Sequence, residues 1–299
     1  MITVKASAST ANLGPGFDCL GMALKIYNTA QMEEAETTTI KIHGEGEESL
    51  PKDSSNLVYK AAEKIYSSQG KKLKGLKVIL QNDIPLERGL GSSAAAILCG
   101  MGGANKLLGS PISWEELLPL ACRMEGHPDN IMASIMGGFV VVSMKDSEPI
   151  IMSTNVSSEL KIILAVPDIK IKTEDARNIL PETVPFKDAV FNLSRTALLV
   201  TSFFSKKWAV LAEATDDKLH QPYRMKLVPS MADVMKAARK AGALGSFISG
   251  SGSAVGAFAV KREQQIEKAM KETFAAAGIK CSTFVTEVEN NGIQDLQNN

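Results

Sequence analysis

The chain has 299 residues, enough for two modest domains or one large one. Hydrophobic residues make up 44% and charged residues 22%, which is the composition of a globular protein and excludes a mostly disordered chain. Lys plus Arg and Asp plus Glu each number 33, so no global field recruits nucleic acid or an anionic membrane, and any anion must be held by a local site. No apolar run approaches the ~18 residues of a membrane helix. The opening Met1–Thr10 lacks the apolar core of a signal peptide. Cys19, Cys99, Cys122 and Cys281 form no Cys-x-x-Cys pair, which argues against a zinc site or a disulfide framework and for a reducing, cytoplasmic setting.

Strands and helices mix along the chain. Thr38–Ile42 reads as a strand, Asn56–Ser67 as a helix with apolar residues at helical spacing, and Leu76–Leu80 as a second strand ending in the turn cluster Gln81-Asn-Asp. Ser92–Leu108 reads as a helix of small and apolar residues stopped by Gly109 and Pro111. Ser113-Trp-Glu-Glu116 fits a capping box opening the next helix, which Pro119 should kink and Gly126 and Pro128 should break. Gly137–Ser143 and Lys161–Val166 look like buried strands. The polar stretch Lys145–Ser158 between them reads as irregular, and the domain boundary is expected there, dividing the chain into 1–150 and 151–299. The second half carries expected helices at Phe186–Phe204, Trp208–Thr215 and Val228–Ala241 and a glycine-rich turn from Gly242 to Gly252. A strand at Val255–Val260, a helix at Gln264–Ala277 and a strand at Cys281–Val288 follow. Both halves therefore read as α+β, in two layered domains.

The most informative segment is Pro85-Leu-Glu-Arg-Gly-Leu-Gly-Ser-Ser-Ala-Ala-Ala96. Glycines let a backbone approach an anion closely and adopt positive φ. The helix that follows aims its unpaired N–H groups and the positive end of its dipole at that anion. Ser92 and Ser93 add hydroxyls, Arg88 adds charge, and Ala94–Ala96 let the first turn lie close to a ligand. A P-loop is excluded, because Gly-x-x-x-x-Gly-Lys-Ser/Thr is absent. Gly89-x-Gly91-x-x-Ala94 matches the dinucleotide pattern, but that reading needs a strand directly before it and an acid at the end of a second strand, and the context has neither. A glycine turn that merely caps a helix is the remaining alternative.

Pro-x-x-x-Gly-Leu-Gly-Ser-Ser-Ala resembles the ATP-binding signature of the GHMP kinases. Two further segments agree: Ala8-Ser-Thr-Ala-Asn-Leu-Gly-Pro-Gly-Phe-Asp18 resembles the first motif of the homoserine kinase branch, and Gly245-Ser-Phe-Ile-Ser-Gly-Ser-Gly-Ser253 the third, glycine-rich motif. The three occur in family order across residues 8 to 253. The resemblance implies an α+β, two-domain GHMP kinase fold, with a ribosomal protein S5 domain 2-like N-terminal domain that binds ATP and a ferredoxin-like C-terminal domain. It implies ATP and Mg2+ as cofactors and L-homoserine as acceptor, a homodimeric assembly, and a step of threonine biosynthesis.

The same resemblance implies roles. Pro85, Leu86, Glu87, Arg88, Gly89, Leu90, Gly91, Ser92, Ser93, Ala94 and Ala95 would hold ATP, with Asn56 near the adenine. Ser92 and Glu125 would ligate magnesium, since a hydroxyl and a carboxylate are the hard oxygen donors that ion prefers. Asp129 joins them as a catalytic residue. Arg177 and Arg224 would bind the substrate carboxylate, for which a guanidinium is suited. Asn12, Asp18, His127, Asn130 and Thr173 complete the substrate site. The chain departs from many members in its short Glu125-Gly-His127 spacing and in Ser253-Ala254 of the third motif. Another kinase of the family, of mevalonate type, and a nucleotide-binding sensor without catalysis are the competing functional readings.

Overall fold

The computed structural model describes residues 1–146 and 148–293. The first sheet is built on a long hairpin, β1 (Ile2–Asn12) and β2 (Gly16–Glu34), followed by β3 (Thr39–Gly44), α1 (Leu57–Ser68), β4 (Leu76–Asn82), α2 (Ser92–Leu107), α3 (Trp114–Glu125), α4 (Pro128–Met136), β5 (Phe139–Lys145) and β6 (Glu148–Thr154). The second unit contains β7 (Lys161–Pro167), α5 (Thr173–Asn178), α6 (Phe186–Ser205), α7 (Leu211–Ala214), α8 (Gln221–Arg224), α9 (Met231–Ala241), β8 (Gly245–Ile248), β9 (Val255–Ala259), α10 (Glu263–Ala276) and β10 (Cys281–Thr286). The first sheet is six-stranded, ordered β3-β4-β2-β5-β6 with β1 on β2; the second is four-stranded, ordered β10-β7-β9-β8. The α+β class and the two layered units expected from the sequence are both present.

Several local expectations are corrected. The β1–β2 hairpin gives little strand signal because its buried positions are mostly Ala, Ser, Thr and Gly. Small side chains are required there because α2 and α4 lie directly on it. The supposedly irregular Lys145–Ser158 contains β6, paired in antiparallel register with β5, so a division at residue 150 passes through a strand. Gly126 and Pro128 do break the helix, as expected: Gly126 ends α3 in the left-handed region, and Pro128 opens a separate helix, α4, at its first position, where a missing N–H costs nothing. The Ser113–Glu116 capping box forms in both directions, and α3 runs on through Pro119. The glycine-rich stretch begins as strand β8 before it turns.

Strand β7 explains how the two units lock together. Ile162, Leu164 and Val166 face the core shared with the first sheet, while Ile163 and Ala165 face the core under α9 and α10. A strand covered on both sides needs an unbroken apolar run, which is what the sequence shows. The chain then returns past β10: Val288 bridges Leu24, and Glu289 and Ile293 donate backbone hydrogen bonds to Ala23 and Ile135 of the first unit. Phe203 of α6 closes the seam between the sheets, stacked on Phe139 at 4.3 Å and edge-on to Phe258 at 5.6 Å. Among the described residues no helix is long and apolar enough to cross a membrane.

Phe203 is fully buried between residues of both sheets. Phe203→Ala is therefore expected to cost about 3–5 kcal/mol and to shift the whole denaturant transition, followed by circular dichroism. Loss of one sheet with the other intact would contradict the shared core.

Candidate active site

The three glycine-bearing motifs meet at one point between the units. Gly89 has φ of 73°, and a Cβ placed there would lie 2.0 Å from the Ser249 carbonyl oxygen. Gly91 has φ of 69°, and its Cβ would lie 2.1 Å from Ser9 Oγ. Only glycine satisfies both demands, the left-handed backbone and the close approach. Across this contact Ser249 Oγ donates to the Gly89 carbonyl at 2.6 Å, the Ala254 N–H donates to the Arg88 carbonyl, and the Gly250 N–H donates to the Ala11 carbonyl. Helix α2 starts at Ser92, directly after Gly91, so its free N–H groups face the opening beside the loop. Ala94 and Ala95 are fully buried and bring that first turn close against the hairpin.

The opening is a cavity of about 340 Å³. It brings together Asn12, Asp18, Pro85, Glu87, Arg88, Gly89, Leu90, Gly91, Ser92, Ser93, Glu125, His127, Asp129, Asn130, Thr173, Arg177 and Arg224 of the expected site. Leu86 lines a neighbouring cavity instead, Ala94 and Ala95 lie under the loop, and Asn56 caps α1, accepting from the Val58 N–H and donating to the Pro51 carbonyl. Arg88 spends its donors structurally: it is buried, donates to the Pro167 carbonyl at 2.9 Å and pairs with Asp168 at 3.0 Å. It therefore ties the loop to β7.

One wall of the cavity is acidic. Glu125, the last residue of α3, accepts a hydrogen bond from Ser93 Oγ at 2.7 Å. Ser93, and not Ser92, is thus the loop serine in contact with that carboxylate. Burial, reinforced by the charge of Asp129 and opposed by the Ser93 bond, pushes Glu125 up to about 7. Asp129, in the first turn of α4, is pushed up to about 6 by burial, although the Asn130 N–H donates to it at 2.7 Å. Asn130 in turn accepts from Ser9 Oγ at 2.9 Å. Among the described residues no group of three or more His, Cys, Asp or Glu side chains gathers as a metal cluster.

The opposite wall is cationic. Arg177 pairs with Asp18 at 2.7 Å, and its Nε is buried without a hydrogen-bond partner among the described residues. Arg224 is 2% exposed and donates to the Ala176 carbonyl at 3.1 Å and to the Gly250 carbonyl at 2.8 Å. Burial and then the nearby charge of Arg177 lower Arg224 to about 10, still cationic at neutral pH. Phe17 lies between them, its ring 5.4 Å from one guanidinium carbon and 5.1 Å from the other. Burial and the adjacent Arg177 also lower His127, keeping its imidazole neutral. Asn12, at φ of 69°, donates to the Gly250 carbonyl and accepts from the Asp18 N–H, holding the turn that carries Asp18.

Sequence reasoning missed a supporting layer. The Asp217 carboxylate is fully buried and accepts from the backbone N–H groups of Leu219, His220 and Gln221 and from Asn192, thereby fixing the entry to α8, which carries Arg224. His220 bonds the Gly14 carbonyl at 2.6 Å. Asn192 and Thr196 of α6 donate to the Pro15 carbonyl. The one local signal was the acid preceding Lys218-Leu-His-Gln-Pro222, which is unremarkable without the fold. Lys172, Gly250 and Ser251 also reach the cavity.

Comparison with known proteins agrees with this geometry. The family model for the GHMP kinases N terminal domain matches residues 56–138, and the GHMP kinases C terminal model matches 203–276. The chain is 42% identical over 299 residues to the homoserine kinase of Carboxydothermus hydrogenoformans, covering 100% of this chain and 98% of that one. It is 42% identical over 283 residues to the homoserine kinase of Moorella thermoacetica, covering 94% and 95%. The crystal structure of homoserine kinase from Cytophaga hutchinsonii is similar with a TM-score of 0.87 at 32% identity, covering 97% and 96%. L. major mevalonate kinase shares the fold, with a TM-score of 0.74 at 15% identity, covering 97% and 96%.

The loop contact is testable by itself. Gly89→Ala puts a methyl group into the Ser249 carbonyl and is expected to weaken binding of a fluorescent ATP analogue roughly 10- to 100-fold, or ~1–3 kcal/mol. Unchanged affinity in a titration would detach this glycine from the nucleotide.

Proposed function

We propose that this chain, which belongs to the GHMP kinase family, transfers the γ-phosphoryl group of ATP to the side-chain hydroxyl of L-homoserine, giving ADP and O-phospho-L-homoserine in threonine biosynthesis. The observation that carries the reading is one cavity with a phosphate-type glycine loop and buried acids on one wall and the Arg177–Phe17–Arg224 cluster on the other. It suits a zwitterion with a hydroxyl: guanidinium donors for the carboxylate, Asp18 and neutral His127 as acceptors for the ammonium. The orphan Nε of Arg177 supports an anionic group at that end.

Phosphoryl transfer needs positioning and charge neutralisation more than covalent help from the protein. The N–H groups of the loop and of the α2 terminus would hold the transferring phosphates. The residues fit magnesium: Glu125 and Asp129 are two carboxylates raised first by desolvation, and the loop serines add hydroxyl oxygens. Glu125 with Ser92 or Ser93 would hold the ion, which supplies positive charge against the phosphate oxygens. Asp129, ionised at neutral pH, accepts from the homoserine hydroxyl and orients it; a loose transition state demands little proton abstraction. Arg177 and Arg224 fix the carboxylate so that this hydroxyl points at the loop.

An ADP-release assay with homoserine, mevalonate and galactose tests the assignment. Turnover of homoserine alone is expected; turnover of another acceptor in its place would overturn it, and nucleotide binding with no turnover would favour a sensor. Arg224→Leu is expected to raise KM for homoserine roughly 10- to 100-fold while KM for ATP changes little, because a charge-assisted hydrogen bond to a buried carboxylate is lost. Equal effects on both constants would remove Arg224 from the acceptor site.

The acids make a pH prediction. Their folded pKa values lie above the unfolded 4.5 and 3.8, so the stability they contribute is full below those values and is lost as pH rises through about 6 to 7. Binding magnesium–ATP requires the ionised forms. At pH 6.5 it should therefore release protons, seen as calorimetric heats that depend on buffer ionisation, and Glu125→Gln should diminish that release. Heats independent of buffer would contradict the arrangement.

A further inference from the structure

A guanidinium carries five N–H donors and no acceptor, so Arg224 can be followed donor by donor. Its Nε–H goes to the Ala176 carbonyl at 3.1 Å, and one Nη1 hydrogen goes to the Gly250 carbonyl at 2.8 Å. The other Nη1 hydrogen faces Nδ1 of His220 at 3.4 Å. Among the described residues no protein group takes the two hydrogens of Nη2, and that nitrogen is not sealed inside the protein. Arg224 lines the cavity, so Nη2 is the edge it presents there. Three partners thus decide which edge of the guanidinium is available, and two of them are backbone carbonyls. The third is a titratable ring, and its role depends on where its proton sits.

A neutral imidazole has one N–H and one lone-pair nitrogen. Nε2 of His220 lies 2.6 Å from the Gly14 carbonyl oxygen, which can only accept, so the proton belongs on Nε2. Nδ1 then keeps its lone pair and turns it toward the guanidinium. The ring is fully buried, and burial is the largest influence lowering its pKa. The charge of Arg224 acts in the same sense, while Asp217, 3.6 Å from Nε2, the Gly14 bond and Asp18 oppose it. A second proton would set an N–H against the guanidinium. Phe17 packs on both partners, its ring 5.2 Å from the imidazole and 5.1 Å from the guanidinium carbon. Gly14 and Phe17 belong to the hairpin turn that carries Asp18, so His220 joins that turn to Arg224. We propose that His220 is a positioning residue for the acceptor: as the Nε2–H tautomer it bridges the Gly14 turn and Arg224, takes the second Nη1 hydrogen, and leaves Nη2 as the edge that meets the acceptor carboxylate. The role rests on the assignment of that carboxylate to the arginine cluster above.

Nitrogen NMR of the full wild-type chain with 15N-labelled histidine reads the tautomer without substrate. The chain has 3 histidines, so His43→Gln and His127→Gln identify His220 by elimination, whether or not any variant at 220 folds. Nε2 is expected to carry the proton at neutral pH and Nδ1 to lack it; a proton on Nδ1 would overturn the proposal. Steady-state kinetics then separate positioning from folding. His220→Gln keeps an amide donor for the Gly14 carbonyl but has no acceptor where Nδ1 stood. His220→Asn can keep that acceptor but loses the reach to Gly14. KM for homoserine is expected to rise roughly 10-fold in His220→Gln and less in His220→Asn, with KM for ATP within about twofold of wild type in both. A purely structural histidine would lower the melting temperature of both variants without parting the two Michaelis constants, and that result would also overturn the proposal. A wild-type chain that does not turn over homoserine is a distinct outcome: it removes the acceptor assignment, and the role of His220 with it, whatever the tautomer.

Discussion

The close approach of two glycine-rich turns is the contact on which the rest of this molecule depends. Gly89 of the first unit and Ser249–Gly252 of the second meet backbone to backbone, with hydrogen bonds from Ser249 Oγ to the Gly89 carbonyl and from the Ala254 N–H to the Arg88 carbonyl. Any side chain at Gly89 would occupy the position of the Ser249 carbonyl. The Gly250 carbonyl then accepts from both Asn12 and Arg224, so the hairpin turn, the loop and α8 share one anchor. Displacing either turn would move the phosphate end and the cationic end of the cavity together.

The cavity holds acids and guanidinium groups on opposite walls, joined by the Arg177–Asp18 pair. Glu125 and Asp129 on the loop side and Arg224 on the other are each displaced toward the neutral form first by desolvation. Holding them so has a free-energy cost that the surrounding network meets: Asp217 collects backbone N–H groups, and Arg88 clamps the loop to β7. A ligand carrying phosphate, a cation, a carboxylate and an ammonium would satisfy groups that the free protein leaves partly unmet.

Much of this was readable from the chain. Gly89, Gly91, Ser92 and Ser93 declared an anion loop because glycine and serine before a run of alanine have few other uses together, and β7 declared a strand buried on both faces. The β1–β2 hairpin was not readable, because its alternation is of Ala and Ser, whose burial depends on α2 and α4 resting on them. β6 was not readable, because an edge strand with one solvated face can be polar. Asn56 and Arg88 have the residue types of ligand contacts, yet the fold gives the former a helix cap and the latter an interdomain tie.

The sequence by itself determined the local chemistry: which backbone can take a left-handed turn, where a helix must begin, which residue types can hold phosphate or carboxylate. These follow from one residue and its immediate neighbours. Only the tertiary structure decided which serine meets Glu125 and that Asp217 supports Arg224. Those depend on the distance between segments far apart in the chain, and that distance is set by how the two cores pack on β7 and around Phe203.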